Sequence, residues 1–305
     1  MFNFSDKEWG LVLAGGGGKG AYQAGVFKAL EEIGISDYVT AVSGASVGAL
    51  NLVLFAAGDA ALARKIWGDI SPEQFLDIEP GMIDMEEGFV SRDGLLKIID
   101  DYVNLDIVRN CDRRLYVSTT EYDEFGEGDG KVKYFSLNYR SGNEIKDILL
   151  ASSALPIIYS PVKIEGKMYR DGGIKDNMPI RPLYIEGIRN FIVVGLSQES
   201  KINYDLYPDA NFLFIKPRKS IGDFWDGTLD FTSNGAKIRM EIGYMDAIRE
   251  IEFYGRDDFE AQEKYKIQEM ADYQQIRYKY RQMTLEERVG GHMSDINRLM
   301  DKYKL

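Results

Sequence analysis

The sequence predicts an α/β layered domain with a mainly parallel sheet, and three stretches carry that prediction. Trp9 to Leu13 is a short apolar run that stops at four consecutive glycines, Gly15 to Gly18. Ala21 to Ile33 follows with apolar residues at Ala21, Ala24, Val26, Phe27, Leu30 and Ile33, a helical spacing closed by Gly34. Tyr38 to Val42 is a second strand halted by Ser43–Gly44, and a helix begins near Val47. Strand, glycine turn, helix, strand, sharp turn, helix is the alternation that lays helices over a parallel sheet.

The remaining elements follow in order. Val47 to Ala57 is the most apolar stretch. It is about half the ~20 residues that a spanning helix needs, so it reads as a buried helix. Ser71 to Arg92 mixes large apolar and acidic residues with Pro72, Pro80, Gly81 and Gly88, and reads as a loose insertion suited equally to a lid or to an ordinary surface excursion. Leu95 to Val103 resumes helical spacing. Leu115 to Thr120 and Lys131 to Ser136 read as strands about a glycine-rich turn, and Ile145 to Ser153 as a helix. Val162 to Asp171 reads as a strand pair and Phe191 to Leu196 as a buried strand. From Lys237, Ile238, Ile242, Met245, Ile248 and Ile251 form a helical stripe. The expected organisation is a catalytic domain over 1–251, with 71–92 as a candidate lid, and a helical C-terminal extension over 252–305.

Composition narrows the function. Of 305 residues, 45% are hydrophobic, enough for a sizeable core. The net charge of −12 repels nucleic acid, which is excluded as a partner, and disfavours unassisted adsorption to anionic lipid. The N-terminus lacks the basic and apolar regions of a signal peptide. Cys111 is the only cysteine, so neither an intrachain disulfide nor a cysteine metal cage forms, and a cytoplasmic location is expected. His292 is the only histidine, so any mechanism that needs one must use it.

Gly15, Gly16, Gly17, Gly18, Lys19 and Gly20 form the first candidate site. Consecutive glycines let backbone N–H groups converge ahead of a helix, which suits a phosphate or a transient oxyanion. The nucleotide readings weaken on inspection. A dinucleotide fold wants an acidic residue closing the second strand, where Val42–Ser43–Gly44 stands, and a P-loop wants Ser or Thr where Gly20 stands.

Gly44–Ala45–Ser46–Val47–Gly48 matches G-x-S-x-G between a strand and a helix, the context of a nucleophile elbow. The same serine also suits a plain helix N-cap. Asp171–Gly172–Gly173 closes a strand with a sharp turn, where an aspartate serves either as a turn cap or as a base. The usual base is histidine. His292 lies in a polar segment without strand–turn context, so Asp171 is the natural substitute.

Together these motifs resemble the patatin-like phospholipase family. Gly15 to Gly20 looks like its oxyanion-hole motif, Gly44 to Gly48 its nucleophile elbow, and Asp171–Gly172–Gly173 its catalytic aspartate motif. Ala151–Ser152–Ser153–Ala154–Leu155–Pro156, Pro161–Val162, Asn177 and Pro179 follow the same pattern. The resemblance implies a three-layer α/β/α fold, a Ser46–Asp171 dyad, an oxyanion hole from Gly15 to Gly18, and hydrolysis of glycerolipid esters. Lys19, Gly20, Gly44, Gly48, Gly172 and Gly173 are then supporting residues. No metal or cofactor is required. The expected partner is a glycerophospholipid or other lipid ester, met through transient contact with a membrane surface. The alternative is a catalytically silent module whose glycine turn holds an anion.

Overall fold

The computed structural model describes residue 4, residues 7–69, 93–156 and 159–255, and residues 265, 268, 270–276, 278 and 279. It divides into two units, Met1–Gly255 and Arg256–Leu305. The described residues of the second unit are helical. A boundary after residue 251 would cut the last helix of the first unit, which runs to Phe253. The candidate lid over 71–92 and His292 lie outside the described residues.

An inner strand of the sheet, β1 (Trp9–Leu13), is buried at every position, as a strand covered on both faces must be. It pairs in parallel with β2 (Val39–Ala45) on one side and β7 (Asn190–Val194) on the other. The order is β5-β6-β3-β2-β1-β7-β8, with β3 (Arg114–Tyr122), β5 (Val162–Ile164), β6 (Lys167–Asp171) and β8 (Asn211–Ile215). β4 (Lys131–Ser136) pairs with β3 off that path. Pairs of β3 with β4 and β6, and of β5 with β6, are antiparallel; the rest are parallel.

Helices complete a three-layer α/β/α arrangement. They are α1 (Ala21–Glu32), α2 (Val47–Ala57), α3 (Ala60–Asp69), α4 (Asp93–Tyr102), α5 (Leu105–Asn110), α6 (Gly142–Ser152), α7 (Ile180–Ile185) and α8 (Ser233–Phe253). Ile180 and Leu183 of α7 pack with Val12, Ala41, Phe191 and Val193 in one core cluster. The short α5 and α7, amphipathic α3 and strand β8 have no counterpart in the sequence reading. Among the described residues, no helix is long and apolar enough to cross a membrane.

α8 departs from expectation. It starts at Ser233, capped by the Thr232 side chain, and its buried face is not the isoleucine stripe. Ile242 and Ile251 are buried, but Ile238, Met245 and Ile248 are only half-buried. Small and charged residues face inward instead: Gly235, Ala236, Arg239, Gly243 and Asp246. The cause is a close crossing with α1. A Cβ on Gly25 would overlap the Met240 carbonyl, and one on Gly243 the Tyr22 carbonyl. Buried charge is acceptable there because it is paired. Arg249 lies 3.0 Å from Asp246, whose other oxygen accepts from the Tyr22 hydroxyl at 2.8 Å.

Candidate active site

Strand register brings Ser46 and Asp171 together. β3 has β4 along one edge from Tyr116 to Glu121. Along the other edge, β2 pairs in parallel up to Ala45 opposite Ser118. β6 pairs antiparallel and ends at Asp171 opposite Thr119. The two strands therefore meet head to head on one edge, ending beside consecutive residues of β3. Asp171 is fixed further by its N–H to the Ala154 carbonyl at 3.0 Å and by its own carbonyl, which accepts from Thr120 Oγ1 at 2.8 Å. A Cβ on Gly172 would overlap the Ser118 carbonyl, so only glycine lets the chain leave the strand at that point.

Ser46 occupies the N-cap position of α2, but its side chain makes no cap hydrogen bond. Its backbone sits at φ 54° and ψ −127°, a strained conformation for a residue with a Cβ. The strain is held from outside. The Ser46 N–H donates to Ser152 Oγ at 2.9 Å, and Ser152 Oγ donates to the Ser118 carbonyl at 2.7 Å. Gly48 admits the Leu13 and Ala14 carbonyls against α2, which brings the elbow over the end of β1.

Asp171 is 2% exposed. Its Oδ1 caps the following turn by accepting from the Gly173 N–H at 2.7 Å. Its Oδ2 accepts no hydrogen bond from the described residues, although the Ser46 hydroxyl is near enough to lower this carboxyl's pKa. Burial raises the Asp171 pKa to about 6, against weaker lowering by Ser46 and Gly173.

The glycine turn is a 3-10 helix, Gly17–Gly20, leading into α1. The first N–H groups of such a turn have no intrahelical acceptor. Gly15 stands apart from the other three. Its N–H donates to Asn177 Oδ1 at 3.1 Å, and Asn177 Nδ2 returns a bond to the Gly15 carbonyl at 3.3 Å. Gly16, Gly17 and Gly18 are left as the candidate donors. Segment 221–230 lies against the outer side of the turn: a Cβ on Gly17 would overlap the Thr228 carbonyl, and one on Gly18 the Asp230 carbonyl. Buried Arg239 of α8 holds that segment. It donates to the Ile221, Asp226 and Asp230 carbonyls at 3.1, 2.7 and 3.0 Å, and pairs with the Asp230 carboxylate at 2.6 Å. The Lys19 ammonium is weakened first by burial and then by Arg239, with Asp223 and Asp226 opposing. It therefore belongs to this outer side of the turn.

A second buried polar set was not singled out from the sequence. Gln23 Nε2 donates to the Ala14 carbonyl at 2.8 Å. Asn51 Nδ2 donates to the Gly20 carbonyl and to Gln23 Oε1 at 2.9 and 2.7 Å, and Trp67 Nε1 donates to Asn51 Oδ1 at 2.9 Å. These bonds tie both ends of the glycine turn to the helix that follows Ser46. The one available signal was a polar residue, Asn51, inside the most apolar helix of the chain.

Residues 11–184 match the family model described as patatin-like phospholipase. Lysophospholipase nte1 of Aspergillus terreus is 30% identical over 178 residues, 56% of this chain and 11% of that protein. Lysophospholipase NTE1 of Candida albicans is 25% identical over 219 residues, 66% of this chain and 14% of that protein. The chain thus spans only about a tenth of the length of these relatives. Uncharacterized protein YjjU of Escherichia coli is 26% identical over 191 residues, 60% of this chain and 50% of that protein. The crystal structure of VipD from Legionella pneumophila is similar in fold, with a TM-score of 0.52, covering 81% of this chain and 66% of that one at 14% identity. The family match extends over more than half of the sequence, and the chain belongs to the patatin-like phospholipase family.

Proposed function

We propose that this chain is a lysophospholipase-type lipid acyl hydrolase working through Ser46 and Asp171. The observation that carries the reading is the pairing of a strained serine, excused from capping its helix, with a buried carboxyl that has one oxygen unused. Ser46 Oγ attacks the ester carbonyl while its proton passes to Asp171 Oδ2. N–H groups of Gly16 to Gly18 hold the oxyanion. Asp171 returns the proton to the departing alcohol, leaving an acyl-enzyme. It then takes a proton from water as the water oxygen attacks the acyl carbonyl, and gives that proton to Ser46 Oγ as the acyl–Oγ bond breaks and the fatty acid leaves. A raised pKa makes Asp171 a stronger base than an ordinary carboxylate.

The test is a serine-directed fluorophosphonate probe, followed by fatty-acid release from 1-acyl lysophosphatidylcholine. Wild-type protein is expected to label and to release fatty acid, and Ser46→Ala to do neither. A folded wild-type protein that does not label would leave the silent anion-binding module as the better account.

The Asp171 pKa gives a pH signature of opposite sign in rate and in stability. The rate needs the carboxylate, so kcat/KM rises through about pH 6. For stability, the unfolded chain loses this proton near 3.8 while the folded chain holds it to about 6. Folding is therefore weakened as pH rises through that window, by about 3 kcal/mol in all. Asp171→Asn removes the cost. The variant is expected to melt higher than wild type above about pH 7, with the gap closing toward pH 4. An equal gap at both ends would show that Asp171 does not titrate in this way.

A further inference from the structure

We propose that Arg239, on α8, is a positioning residue for the oxyanion turn. It meets neither substrate nor reacting atoms, and acts by fixing the backbone wall against which Gly17 and Gly18 are set. The inference rests on the hydrolase reading above and adds to it what holds the oxyanion donors in place. Stabilising a transition state requires donors that are aimed beforehand, and four consecutive glycines impose no shape of their own. The restraint has to come from neighbours.

The wall is segment 221–230, and it is braced within itself. The Asp223 N–H donates to Asp226 Oδ1 at 2.6 Å, and the Asp226 N–H donates back to Asp223 Oδ1 at 3.3 Å. The Thr228 N–H closes onto the Asp223 carbonyl at 3.0 Å. The segment so formed sets the Thr228 carbonyl against Gly17 and the Asp230 carbonyl against Gly18. The Lys19 stem lies on it too, since a Cβ on Gly227 would sit 2.6 Å from Lys19 Cε. Gly17, Gly18 and Lys19 therefore all lean on one piece of chain.

Arg239 is 4% exposed, and every nitrogen of its guanidinium is engaged by that segment. Nε donates to the Ile221 carbonyl, Nη1 to the Asp230 carbonyl, and Nη2 to the Asp226 carbonyl and the Asp230 carboxylate. A planar fork spreads these bonds from Ile221 to Asp230, which a single ammonium cannot do. The anchor itself stands at a set distance from the turn. The turn runs directly into α1, and α1 meets α8 backbone to backbone at Gly25 and Gly243. Gly243 is one helical turn beyond Arg239. The packing of α1 on α8 thus fixes the guanidinium relative to Gly17, and the guanidinium fixes the wall.

The test is a double-mutant cycle on the full chain with p-nitrophenyl butanoate. Arg239→Lys keeps a charge for Asp230 but cannot reach all three carbonyls. It should lower kcat by about tenfold, short of the roughly 10²- to 10³-fold of a donor lost outright, with KM nearly unchanged. Gly235→Ala strikes the same contact without removing a charge: its Cβ would overlap the Asp230 carboxylate and stand 3.0 Å from Arg239 Nη1. It should change kcat in the same direction. Coupling separates positioning from mere stability. Once the segment is loosened the Thr228 carbonyl can give way, so Gly17→Ala should cost less in the Arg239→Lys background than in wild type. Circular dichroism identifies a variant that fails to fold, and Gly235→Ala then takes the place of Arg239→Lys in the cycle. Additive losses, a change in KM alone, or wild-type kcat in the folded variant would overturn the role of Arg239 alone. Failure of wild type both to cleave the ester and to label with fluorophosphonate would overturn the hydrolase reading, and this role with it.

Discussion

Ser46→Ala and Asp171→Asn are each expected to lower kcat by about 10⁴-fold or more, with the double mutant no slower than the worse single. The magnitude follows from the division of labour. In the proposed mechanism Ser46 supplies the bond-forming atom, and Asp171 is the buried carboxyl whose strand ends beside that of Ser46. Without the carboxylate the serine stays protonated. Without the serine the base has no proton to take. What survives is the stabilisation offered by the turn and by substrate binding, which neither mutation touches. Both variants are expected to fold, because the Ser46 side chain caps nothing and asparagine keeps an oxygen for the Gly173 N–H. Single-turnover rates on a soluble ester check the result. A double mutant far slower than either single, or an Asp171→Asn variant at wild-type rate, would remove the dyad.

Gly17→Ala is expected to cost about 10²- to 10³-fold in kcat, the price of one lost oxyanion donor, with much less change in KM. The residue sits at φ +56°, where a side chain is strained, and its Cβ would enter the Thr228 carbonyl. That carbonyl has little freedom to retreat, since Arg239 holds segment 221–230 through three backbone oxygens and the Asp230 carboxylate. The turn must move instead, and its N–H groups move with it. Gly16→Ala is the matched comparison. The atoms nearest its Cβ would belong to the Leu196 side chain, at 3.0 to 3.7 Å, where those nearest the Gly17 Cβ include the Thr228 backbone carbonyl. The expected order of rates is wild type, then Gly16→Ala, then Gly17→Ala. A Gly17→Ala variant that alters KM alone would show a ground-state anion site in place of a transition-state one.

The local elements were legible because each is written in consecutive residues. β1, α2 and β4 occupy the stretches that periodicity and glycine placement marked, and the strand pair ending at Asp171 is β5 and β6. α8 was legible as a helix but not in its orientation. Periodicity reports which residues are apolar. The buried face was decided by how closely α1 approaches, which favours Gly243 and paired Arg239 over Ile238 and Ile248.

The sequence by itself determined the strand–turn–helix sequence, the elbow around Ser46, the glycine run and the turn at Asp171, because each depends on backbone preferences of neighbouring residues. Only the tertiary structure decided how they act on one another. The register of β3 sets Ser46 beside Asp171. Burial, not sequence context, raises the Asp171 pKa. Asn177 engages Gly15 and separates it from the other three glycines, while Gln23, Asn51 and Trp67 fix the turn against α2. These partners lie far apart along the chain. Their meeting is governed by sheet register and by the need of every buried polar group for a partner, and neither leaves a periodic trace in the sequence.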